Sequence, residues 1–91
     1  MKIALLRDII AMKPITYRAA ALRSLTGLPK RDRVALIAKL GRYAETGAGD
    51  VRPLTGRPGK RLRAGDDRAV FLEDDGAIDV LAIGHRRDIY E

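Results

Sequence analysis

Two periodicities divide the chain. Between residues 17 and 44 apolar side chains recur every three to four positions, and between residues 60 and 84 they alternate with polar ones. Ahead of both, Pro14-Ile-Thr-Tyr17 reads as a short strand with proline confined to its first position. Arg18 to Leu25 is a run of helix formers with Ala21, Leu22 and Leu25 on one side, and Gly27 is placed to stop it. Pro29 suits the first turn of a second helix. There Val34, Ile37, Leu40 and Ala44 form the inward stripe, widened by Leu36 and Tyr43. Lys30, Arg31, Arg33, Lys39 and Arg42 lie on or near the other side, and Gly47 and Gly49 end the helix. The joint at 27–28 is so short that the helices must form an antiparallel hairpin. Residues 50–59, with Gly56, Pro58 and Gly59, read as a loop.

The alternating half then divides into three strands. Lys60–Ala64 is followed by a turn at Gly65-Asp66, then Arg68–Glu73, a second turn at Asp75-Gly76, and Ile78–Gly84. The order β-α-α-β-β-β predicts an α+β domain in which a helical hairpin covers one face of a small antiparallel sheet. Residues 1–12 stand apart from both patterns. With a second methionine at position 12, they read as an N-terminal extension to a single domain over 13–91.

Composition narrows the chemistry. At 91 residues, 46% apolar and 33% charged, the chain suits one globular domain. It has no cysteine and a single histidine, His85. Disulfides, thiolate catalysis, iron–sulfur clusters and multi-histidine metal sites are therefore excluded. No apolar run is long enough to span a membrane, and Arg7 and Asp8 interrupt the only stretch resembling a leader. A cytoplasmic location with no membrane partner is expected.

Charge changes the picture more. The net charge is +6, but residues 13–63 hold thirteen Lys/Arg against three Asp/Glu, whereas residues 64–91 hold three against eight. A polyanionic partner is implied. Strand alternation says where it would bind. If Leu62 faces the helices, Arg61 and Arg63 share the uncovered face. If Ala69 and Phe71 join the core, Arg68 lies on that face too. His85, Arg86 and Tyr90 follow at the end of the last strand, where the tail can close over the arginines. This geometry requires that no bulge shifts the register. The plainer alternative is a solvated sheet face. Other motifs carry less. Gly56–Lys60 lacks the spacing of a phosphate loop. Asp74 and Asp75 suit a turn, Ser24 has no histidine near it in sequence, and Asp66 and Asp67 serve the turn or pair with arginines.

Four stretches carry a family resemblance. Arg61-Leu-Arg-Ala-Gly-Asp-Asp-Arg-Ala-Val-Phe71 and Val80-Leu-Ala-Ile-Gly-His-Arg-Arg-Asp-Ile-Tyr90 resemble the C-terminal motifs of RelE/ParE superfamily toxins of type II toxin–antitoxin modules. Tyr17 to Lys30 resembles the family's first helix and Leu-Pro joint, and Pro53-Leu-Thr-Gly56 its connecting loop. The resemblance spans roughly residues 13–91. It implies a RelE-like fold, a cognate antitoxin and no cofactor or metal. It also implies one of two actions: ribosome-dependent mRNA cleavage, or inhibition of DNA gyrase as in the ParE branch. For the ribonuclease branch it implies catalytic positions at Arg61, Arg63, Arg68, Arg86 and Tyr90. Arg61 and Arg63 stand where RelE-type enzymes carry lysines. Arginine keeps the charge but is a poor proton carrier near neutral pH. His85, the one side chain with an ordinary pKa near neutrality, is then a candidate acid or base, with a strand-end structural role as its alternative.

Overall fold

The computed structural model describes residues 13–85. Its elements are β1 (Ile15–Tyr17), α1 (Ala19–Gly27), α2 (Lys30–Thr46), β2 (Val51–Pro53), β3 (Lys60–Ala64), β4 (Asp67–Glu73) and β5 (Ile78–His85). The five strands form one sheet in the order β1-β5-β4-β3-β2. The predicted α+β class holds, with two corrections. The sheet is mixed, because β1 pairs with β5 in parallel while the other pairs are antiparallel. The stretch 50–59, expected to be all loop, contributes the edge strand β2. Three residues are too few to show a period, so β2 leaves almost no trace in the sequence pattern.

The first helix ends for a different reason than expected. Gly27 is its last residue and is not among the glycines with positive φ. What stops the helix is Leu28, extended at φ −72°, ψ 150°. It precedes Pro29, whose ring disfavours helical geometry in the residue before it. Pro29 then caps α2. At the other end Gly47 adopts the left-handed conformation, φ 77°, and its N–H donates to the Tyr43 carbonyl at 2.8 Å. That is the glycine stop the sequence predicted there.

Both helices lie on one side of the sheet. Ala21 and Leu25 of α1 join Leu36, Leu40, Tyr43 and Ala44 of α2 in one core. It also contains Leu62, Ala64, Ala69, Phe71, Ile78, Val80 and Ile83 from the strands. The Tyr43 and Phe71 rings meet at 5.5 Å, tilted by 59°. The buried stripe of α2 runs through residues 36, 40, 43 and 44, rotated from the expected one. Val34 and Ile37 are 54% and 44% exposed. Tyr43 fixes that rotation: its hydroxyl donates to Glu73 of β4 at 2.6 Å while its ring packs on Phe71.

A four-membered network ties the core edge together. Glu73 accepts from Lys13 at 2.7 Å, from Tyr43 and from Lys60 at 2.9 Å, and Lys60 also donates to the Tyr43 hydroxyl at 3.3 Å. Burial acts to raise the Glu73 carboxyl. The three hydrogen bonds and the Lys60 charge outweigh it and bring the pKa down to about 2. The neighbouring turn is closed by Asp74, whose Oδ1 accepts from the backbone N–H of Gly76 and Ala77 at 2.8 and 2.9 Å. This is the turn role expected of it.

Candidate nucleic-acid interface

The other face of the sheet collects arginines. Register places Arg63 of β3 directly opposite Arg68 of β4, and Arg61 of β3 directly opposite Arg52 of β2. Alternation with buried Leu62, Ala64 and Ala69 turns all four away from the helices. Arg52 and Arg63 are exposed and Arg61 and Arg68 are half-buried. Neighbouring strands lie ~4.8 Å apart and alternate residues along a strand ~6.7 Å. The four guanidinium stems therefore rise from a patch two rungs long and three strands wide. Like charges directly across a sheet are destabilising.

Asp79 of β5, cross-strand from exposed Leu72, is held by Arg18, whose Nε and Nη2 donate to its Oδ2 at 3.0 and 2.8 Å. Val70, opposite Arg61, is buried on the arginine side without joining the helix-side core. The face thus offers cationic groups around a small apolar floor, suited to phosphates and the planar groups they carry.

The structure groups the sequence-derived candidates unevenly. Arg61, Arg63 and Arg68 come together. His85 does not join them. On β5 the register slips between the partners of Val70 and Phe71: Val70 faces Ala82 and Phe71 faces Val80, so Leu81 is an extra residue. This bulge reverses the alternation beyond it. Ile83 turns into the core, Gly84 lies opposite Arg68, and His85 lies opposite Asp67 on the helix side. Asp67 is itself buried there. Its carboxyl is raised, first by burial and then by the charge of Asp32, with His85 acting in the opposite sense. The requirement of an unshifted register is met on β3 and β4 and broken on β5. Arg86 and Tyr90 lie outside the described residues.

Arg52 is the member that sequence reasoning missed, because its strand was read as loop. The one signal for it is Val51-Arg52-Pro53, an apolar–basic pair ahead of a proline tolerated on an edge strand. Among the described residues no group of His, Cys, Asp or Glu could hold a metal ion. No helix among them is long and apolar enough to cross a membrane.

No protein-family model and no curated protein matches the chain. Solved structures do. The archaeal RelE–RelB complex of Pyrococcus horikoshii includes a chain with a TM-score of 0.71 at 20% identity, over 86% of this chain and 99% of that one. The toxin–antitoxin complex RelBE2 of Mycobacterium tuberculosis gives 0.71 at 23% identity, over 81% and 98%. The YoeB dimer of Staphylococcus aureus gives 0.69 at 19% identity, over 82% and 98%. The chain has the fold of these proteins, two helices on one face of a five-stranded mixed sheet.

Proposed function

We propose that the protein is the toxin of a type II toxin–antitoxin module and acts as an endoribonuclease on mRNA at the ribosome. The observation that carries this reading is the arginine face. On the fold of RelE and YoeB, Arg61, Arg63 and Arg68 converge on the side of the sheet that no described helix covers. The antitoxins present in the Pyrococcus and Mycobacterium complexes support a cognate antitoxin here as well.

The chemistry asked of the face is modest. The ribose 2′-oxygen attacks the adjacent phosphorus, a P–O bond forms to it, and the bond to the 5′-oxygen breaks. The 2′ proton goes to a base and an acid protonates the leaving 5′-oxygen, giving a cyclic phosphate and a free 5′-hydroxyl. Arg63 and Arg68, on one rung, are placed to donate to the non-bridging oxygens as charge builds on the phosphorane. Arg61 holds the neighbouring phosphate. Arg86 and Tyr90 are assigned the remaining phosphate contact and the base-stacking or proton-accepting role by resemblance. His85, directed to Asp67, is left a structural role.

Purified protein, 70S ribosomes and a short mRNA test this directly. Ribosome-stimulated cleavage that ends in a 2′,3′-cyclic phosphate and is lost in Arg63→Ala is the expected result. Absence of cleavage together with arrest of DNA gyrase would overturn the ribonuclease and make the arginine face a binding surface.

A further inference from the structure

A cleft of about 390 Å³ opens beside the arginine face, between α2 and the edge of β3. Its existence follows from the shortness of β2. That strand pairs with β3 only from Lys60 to Leu62, so beyond Leu62 no described strand covers the sheet edge, where Arg63 N–H donates to the Asp50 carbonyl at 3.0 Å. Small residues, Ala38 on α2 and Ala48-Gly49 after it, keep α2 and its following turn from closing the gap, and Leu62 lies at its base. Lys39 and Arg42 of α2 stand at one wall and Arg63 at the other, with Asp50 between. Arg63 therefore belongs both to the cleft and to the arginine face.

We propose that this cleft binds one nucleotide unit, its base in the slot and its phosphate on Lys39 and Arg42. Three features favour this occupant. The volume suits a single planar group with its sugar and is small for a length of polypeptide. The walls are cationic and continuous through Arg63 with the face proposed to hold the RNA backbone. The one carboxylate, Asp50, would repel an acidic peptide but accepts hydrogen bonds from an exocyclic amino group. Guanine, adenine and cytosine carry such a group, and uracil does not. The cleft is then a base-selective subsite beside the reacting phosphate. That last step rests on the ribonuclease reading, whereas nucleotide binding itself does not.

The test separates the two. Isotope-labelled protein is titrated with each of the four nucleoside 5′-monophosphates, with ribose 5-phosphate and with inorganic phosphate, and amide shifts are followed. Shifts centred on Gly49, Asp50 and Leu62 are expected, with GMP, AMP and CMP binding at least about tenfold tighter than ribose 5-phosphate or UMP. Arg42→Glu should weaken all of the nucleotides by tenfold or more. Asp50→Ala should level UMP with the other three. Ala38→Leu, which fills the slot from an exposed helix position, should remove the advantage over ribose 5-phosphate while leaving phosphate binding. Equal affinity for ribose 5-phosphate and nucleotides, or shifts confined to Arg61 and Arg68, would overturn the proposal. So would an acidic peptide that occupies the cleft when nucleotides do not. In the ribosome assay Ala38→Leu should raise KM with kcat retained. If wild type binds nucleotides here yet never cleaves mRNA, the ribonuclease reading fails and the subsite stands.

Discussion

The two faces of the sheet are made by the same strands and follow opposite rules. On the helix side the charge at the core edge is answered: Glu73 is met by Lys13, Tyr43 and Lys60 at 2.6 to 2.9 Å. On the other side Arg52 stands opposite Arg61, and Arg63 opposite Arg68, so that like charge meets like across two rungs. The first arrangement lowers the free energy of the fold. The second sets like charge against like, which is the arrangement a polyanion would relieve. On the reading proposed above, stability and function occupy opposite faces. They are separable by mutation to the extent that β3 and β4 keep strict alternation.

The sharpest way to break the contrast is to strike the core. Phe71 is fully buried at the centre of β4 against Tyr43. Phe71→Ala should cost about 3–5 kcal/mol, measured by urea denaturation, and in a domain this small should leave much of the chain unfolded. Arg63→Ala and Arg68→Ala, one strand position from buried residues, should cost far less unfolding free energy, within about 0.5 kcal/mol of wild type for exposed Arg63 and about 0.5–3 kcal/mol for half-buried Arg68. Each should nonetheless lower ribosome-stimulated cleavage by about 10²-fold or more, the usual loss for one donor to a developing oxyanion. A large loss of stability in either arginine variant would show that the two faces are not independent.

Most of this division was legible in the sequence. The strand boundaries of β3 appear as predicted, and Leu62 between two arginines is enough to assign its faces. The failures have local causes. The parallel β1–β5 pair joins the first and last described strands, and no pattern in either strand reports on a partner so distant. The rotation of α2 turned on Tyr43, whose hydroxyl is drawn to Glu73, while periodicity weighs only apolarity and so gave Val34 and Ile37 the inward positions. Arg52 was hidden by the shortness of β2. Lys60 was read only as part of a basic strand, and its bond to Glu73 depends on cross-strand register rather than on spacing.

The Glu73 network gives a smaller and pH-dependent effect. The carboxyl has an ordinary value of 4.5 and is held at about 2 in the folded chain. The unfolded chain thus takes up this proton more readily than the folded one. The stabilisation is complete above about pH 4.5 and drains away as pH falls towards 2. Tyr43→Phe removes one charged hydrogen bond and should cost about 1.5–3 kcal/mol at neutral pH. It should also flatten the acid limb of a stability–pH curve obtained by denaturant titration. If Tyr43→Phe loses stability equally at pH 3 and pH 7, the hydroxyl does not act through the Glu73 carboxylate.

The smallest expected effect lies at His85, and it tests the boundary between the faces most finely. Continuous alternation along β5 would have carried His85 to the arginine side, within reach of the Arg63–Arg68 rung. The extra residue at Leu81 reverses the phase and sets His85 opposite Asp67. A side chain on the helix side cannot exchange a proton with a phosphate held on the other face. His85→Gln should accordingly leave cleavage within about twofold of wild type, far from the 10²- to 10⁴-fold expected of a general acid or base. Its effect on stability should be near 0.5 kcal/mol or less, as for a partly exposed strand end. The pH–rate profile supplies the independent reading. If a limb of the wild-type profile vanishes in His85→Gln, the histidine reaches the reacting atoms during turnover. The bulge at Leu81 must then open on the ribosome. If the profile is unchanged, His85 carries no proton in the reaction, as its place opposite Asp67 predicts.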